Sequence, residues 1–211
     1  MSSASDARFW DRTSSRYARS AIADLAGYER TLERTREQLK PQDRVLELGC
    51  GTGSTALRLA GGVQSYLATD ISTGMIAIAE QKLAAEAIPG LSFRVTTAEA
   101  LGPDAPFDAV LGFSYLHLVR DLPGTLEHIR GLLAEGGLFI SKTPCIGDMN
   151  PLVGYAALPV MRALRLAPYA AVFSVAELKE RVSAVGFQIL AVENHASKAK
   201  HWRPYIVARK A

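Results

Sequence analysis

Short unbroken apolar runs and stretches of helical period take turns along this chain. Strands are expected at 45–49, 65–70, 91–96, 108–113 and 137–142, and the run from Val45 lacks polar alternation, as a strand covered on both faces does. Between them, helices are predicted from near Thr55 to about Ala60 and over 73–86, 121–134 and 174–185. Two N-terminal segments, 8–20 and 24–39, also carry the helical period. Leu25, Tyr28, Leu32 and Leu39 line one side of the second, and Glu29, Glu33 and Arg36 keep another side wet. Lys40-Pro41 ends this cap, because proline disfavours helix in the residue before it. Alternating strands and helices imply a parallel sheet with helices on both faces. Two final strands, 187–193 and 201–209, follow each other across a short turn, so the last is expected to run antiparallel. Segment 143–173 interrupts the alternation with Pro144, Pro151, Pro159 and Pro168 and is expected to form a lid.

Size fits a single α/β domain over 1–211, with 1–41 as a helical cap, since 211 residues bury a sufficient core. Cys50 and Cys145 lie far apart without metal-ligand spacing, so neither a disulfide framework nor a metal site is expected. The start, MSSASDARFWDR, lacks an apolar signal core, and the uncharged run 149–161 falls short of the ~20 residues that span a bilayer. A cytoplasmic protein without stable membrane insertion is expected, as monomer or homodimer. The net charge of +3 is unevenly placed: the tail from His195 carries five basic residues and no acid. That tail suits an edge strand guarded by lysines. No basic run with interleaved aromatics occurs, which argues against a nucleic-acid partner.

The chemistry concentrates in VLELGCGTGSTALRLA, residues 45–60. Gly49, Gly51 and Gly53 let the backbone turn sharply and approach a ligand, and Thr52 or Ser54 is placed to cap the helix that follows. A dinucleotide fingerprint wants glycines at relative positions one, three and six, but Ser54 occupies the third site. Glu47, two residues before the first glycine, suits a ligand bearing an amino or sulfonium cation better than a pyrophosphate. Asp70 ends the second strand, where Rossmann-type sites hold ribose hydroxyls.

This stretch resembles motif I of the class I S-adenosylmethionine-dependent methyltransferases, and further segments follow in the family's order. ATDISTGMIAIA is similar to its second motif, which implies Asp70 on the ribose and Ile71 and Met75 against the adenine. VTTAEAL is similar to the third-strand loop usually written GDAEAL; Thr97 replaces its aspartate and leaves the Ala98 amide and Glu99. FDAVLGFSYLHLVRDLPGTLEHIRGLLAEGGLFISK resembles the small-molecule branch, including relatives of quinone-biosynthesis C-methyltransferases. It places Ser114 beside the methionine moiety and His117 toward substrate. FWDRTSSRYARS is similar to the family's entry helix, with Tyr17 over the cofactor. The resemblance implies a Rossmann-like seven-stranded, mostly parallel sheet and methyl transfer to a small apolar or aromatic molecule, with His117 as a base when the acceptor must lose a proton. A non-catalytic S-adenosylmethionine-binding or regulatory protein is the alternative.

Overall fold

The computed structural model describes residues 3–102, 106–149, 152, 158–164, 167–197 and 202–211. Two helices, α1 (Ser3–Arg19) and α2 (Leu25–Gln38), precede the sheet. The strands are β1 (Arg44–Leu48), β2 (Ser65–Asp70), β3 (Leu91–Val95), β4 (Phe107–Phe113), β5 (Leu133–Lys142), β6 (Phe187–Asn194) and β7 (Pro204–Lys210). Between them lie α3 (Ala56–Leu59), α4 (Thr73–Ala85), α5 (Leu122–Leu132), α6 (Leu158–Ala163) and α7 (Val175–Ala184).

The described strands form one sheet in the order β3-β2-β1-β4-β5-β7-β6. Pairings from β3 through β5 are parallel, and β7 runs antiparallel to both neighbours. The order reverses between β1 and β4, and such a switch opens a crevice at the strands' carboxyl ends. Side-chain alternation sends Leu46, Leu48, Val110 and Phe139 toward α5 and α7, and Val45, Ala109, Leu111 and Ile140 toward α2, α3 and α4. Helix α1 packs on α4 and sits above the crevice.

Local sequence explains most boundaries. Asp24, Ser72, Asp121 and Ser174 each accept an amide N–H of the helix that follows, and Ser174 with Glu177 completes a capping box. At β5, Phe107 pairs with Leu133 but Ala109 pairs with Leu138, so residues 134–137 bulge out, Gly136 taking φ +74°. The even ladder therefore starts one residue from the expected 137. Ladder-like bonds also continue past β5, with Thr143 N–H donating to Pro204 O at 3.3 Å and Cys145 N–H to Trp202 O at 3.2 Å. His201, the expected start of the last strand, lies outside the described residues, as do 150–151, 153–157 and 165–166 of the expected lid. No described helix is long and apolar enough to cross a membrane.

One expectation fails. Neither Thr52 nor Ser54 caps α3; Thr55 stands at the cap position without a side-chain bond, and the helix is only four residues long. The two hydroxyls accept instead from Lys82 Nζ, at 3.1 and 3.2 Å, while Thr52 O accepts from it at 2.8 Å. A cation reaching across from α4 is a stronger donor than a backbone amide.

Candidate active site

The turn after β1 is built on three left-handed glycines, Gly49 (φ 68°), Gly51 (φ 54°) and Gly53 (φ 75°). A Cβ at Gly49 would stand 2.8 Å from Tyr115 Cδ2, and one at Gly53 2.8 Å from Ala79 Cβ and Phe93 Cζ. At Gly51 the nearest atom would be Tyr17 Cε1 at 3.8 Å, so this glycine faces open space. Its amide donates to Asp70 Oδ2 at 3.0 Å, and Ser72 N–H donates to Asp70 Oδ1 at 2.9 Å. Each oxygen keeps a lone pair for a ligand hydroxyl. Burial raises the Asp70 pKa despite these bonds, and the charge of Asp11 adds to the shift.

Helix α1 is fastened above this carboxylate at two places. Asp11 Oδ1 accepts from Ser72 Oγ at 2.7 Å and from Gly74 N–H at 3.0 Å, a negative charge on the α4 N-terminus. Asp6 takes the Arg120 guanidinium at 2.7, 3.0 and 3.1 Å, and that guanidinium lies 4.4 Å over the Tyr169 ring. Trp10 and Tyr17 of the same helix stand edge to face, centroids 6.2 Å apart.

Beneath α1 lies a cavity of about 520 Å³, within the range of small-ligand sites. Gly49, Gly51, Asp70, Ile71 and Met75 line one end, and Phe113, Ser114 and His117 the other. Ser114 holds φ 53°, a left-handed conformation costing about 1–3 kcal/mol in a non-glycine residue. Its N–H donates to Lys142 O at 2.6 Å, which turns the chain sharply at the β4 tip. His117 is pushed down to about 4 by burial and then by the Arg203 charge, so it is neutral near pH 7. Its Nδ1 is buried without a hydrogen-bond partner among the described residues.

The cavity thus brings together Tyr17, Gly49, Gly51, Asp70, Ile71, Met75, Glu99, Ser114 and His117 of the residues expected from sequence. Glu47, Gly53 and Ala98 stand outside its lining. Glu47 points toward α2–α4, 2% exposed, with its Oε2 accepting from Tyr66 OH at 2.9 Å. Burial pushes its carboxyl up to about 7. Ala98 sits in the core cluster against α5, and Glu99 accepts from Thr125 Oγ1 at 2.8 Å. Asp6, Asp11, Arg120 and Tyr115 were not among the expected residues. Asp11 stood in the quoted helix pattern, but its partners lie 61 and 63 positions away, beyond any local signal.

Residues 45–137 match the family described as Methyltransferase domain. A stretch of 128 residues is 34% identical to part of a highly reducing polyketide synthase of Alternaria alternata, covering 56% of this chain and 5% of the synthase. Over 93 residues the chain is 37% identical to an uncharacterized methyltransferase of Mycobacterium bovis, covering 44% of this chain and 46% of that protein. The matches thus span less than half the length of these curated relatives. Among solved structures, the DhpI–SAH complex is similar with a TM-score of 0.76 at 23% identity, over 99% of this chain and 96% of that one. The sheet order and helical layers are those of the class I methyltransferase fold.

Proposed function

From a chain that carries a methyltransferase domain over residues 45–137, we propose transfer of a methyl group from S-adenosylmethionine to a small, apolar or aromatic acceptor. The observation that carries this reading is the Gly51–Asp70 pair at the head of a cavity that runs on to His117. The site's donors fit such a cofactor: Asp70 offers lone pairs to two hydroxyls, and Gly51 leaves room where a side chain would intrude. Ile71 and Met75 supply an apolar wall for an adenine. Glu47, Gly53 and Ala98 act by shaping the turn and the third-strand loop rather than by direct contact.

When bound, S-adenosylmethionine supplies a methyl group already activated by its sulfonium, so the protein's work is alignment and water exclusion. Trp10 and Tyr17 cover the cavity, and Asp70 fixes the ribose end. His117 is neutral near pH 7 and is placed to take the acceptor's proton when one must leave. We assign 1–211 to one catalytic unit, with 1–41 as its cap and 143–173 as its cover, acting in the cytoplasm as monomer or homodimer.

Calorimetry tests the reading. S-adenosylmethionine and S-adenosylhomocysteine should bind in the micromolar range and NAD should give no heat. Tight NAD binding with no response to S-adenosylmethionine would sink the proposal.

A further inference from the structure

Tyr115 leaves the chain at the β4 tip, between Ser114 and His117, yet its ring lies against the glycine turn after β1. A Cβ at Gly49 would stand 2.8 Å from Tyr115 Cδ2 and 3.6 Å from Tyr115 Cγ. On the other edge of the ring, a Cβ at Gly112 of β4 would stand 3.5 Å from Tyr115 Cδ1. Gly49 is therefore glycine for two reasons, its φ of 68° and the ring that occupies its side-chain space. A ring seated on the backbone of two strands has little freedom left to lose when a ligand arrives.

Tyr115 lines the cavity together with Asp70 and Glu99, and its hydroxyl makes no hydrogen bond among the described residues. Burial raises its pKa, and the charges of Glu99 and then Asp70 raise it further, so the phenol keeps its proton and offers a donor. The two carboxylates, by contrast, only accept. Asp70 already takes two backbone amides, and Glu99 takes Thr125 Oγ1. A nucleoside needs both kinds of partner. Carboxylates serve its hydroxyls and exocyclic amine, whereas its ring nitrogens and ribose ring oxygen need a donor.

We infer that Tyr115 is a cofactor-binding residue whose hydroxyl donates a hydrogen bond to the nucleoside moiety of the bound cofactor, beside Asp70 and Glu99. The inference rests on the methyl-transfer reading. Although Tyr115 belongs to the β4 tip in sequence, its ring puts it with the groups at the glycine end, so its loss is read in affinity.

Calorimetry on the full chain tests it, comparing Tyr115→Phe with the wild type. The probes are S-adenosylhomocysteine and methylthioadenosine, which keeps the nucleoside and lacks the amino-acid portion. Phenylalanine keeps the ring on Gly49, so the melting temperature without ligand should not change. Affinity for S-adenosylhomocysteine should fall by about three- to tenfold, the worth of one neutral hydrogen bond, and affinity for methylthioadenosine by the same factor. A loss smaller than threefold, or one seen with S-adenosylhomocysteine and absent with methylthioadenosine, overturns the inference and leaves the methyl-transfer reading standing. A wild type that binds neither probe strikes that reading, and the inference with it.

Discussion

At the glycine end of the cavity Asp70 takes two backbone amides, Asp11 takes the α4 N-terminus and Lys82 ties down the Thr52–Ser54 turn. At the β4-tip end His117 carries a buried ring nitrogen that no described residue answers. A saturated site is already arranged when its ligand arrives, so changes there act mainly on affinity. An unanswered donor costs about 1–3 kcal/mol until a ligand meets it, so changes there act on selectivity and rate.

The sharpest way to break this contrast is His117→Ala. As a general base its loss should lower turnover by roughly 10²–10⁴-fold with cofactor affinity nearly unchanged, read by steady-state kinetics beside calorimetry. Because His117 titrates near 4 rather than its ordinary 6.5, activity in the wild type should stay level down to about pH 5 and fall as the ring gains its proton below that. A limb centred at 6.5 would show that the ring is not desolvated as described. At the other end, Asp70→Ala removes one or two hydrogen bonds to a charged group, each about 1.5–3 kcal/mol, so cofactor affinity should fall by at least tenfold. Turnover at saturating cofactor should change far less; a large drop there would erase the distinction between the two ends.

The smallest effect concerns Glu47, behind the saturated end. Its folded-state pKa of about 7 lies above the ordinary 4.5, so the folded protein holds this proton where the unfolded chain has released it. Its contribution is full below pH 4.5 and is lost as pH rises through 7. Glu47→Gln should remove that dependence and raise the melting temperature at pH 8 by a few degrees, at about 2–4 °C per kcal/mol. Thermal scans at pH 5 and pH 8 check it, and an equal shift at both would be the failing result.

The fold was legible because its signals are local. Apolar runs without alternation mark β1, β2 and β4, and Asp121 or Ser174 marks a helix start by its own hydrogen bond. The turn after β1 was legible for its glycines and not for its hydroxyls, since Thr52 and Ser54 meet a lysine 28 to 30 residues on. Glu47 was expected to face a cationic ligand, but strand alternation places it with Val45 on the α2–α4 side. Arg120 adjoins the readable cap Asp121, yet its partner Asp6 lies 114 positions away. Long-range pairs of charged side chains leave no period in a sequence, and they define much of this cavity's roof.

That roof separates two clocks. Helix α1 covers the cavity through two attachments near the surface, Asp11 on Ser72 and Gly74 of α4, and the partly exposed ion pair of Asp6 with Arg120. A ligand beneath it leaves only after the second attachment has opened, and a partly exposed ion pair is weakened by salt whereas a buried one is weakened far less. Ionic strength therefore acts on the residence time of whatever lies under α1, while the barrier to bond making at the β4 tip is set by groups that salt does not reach.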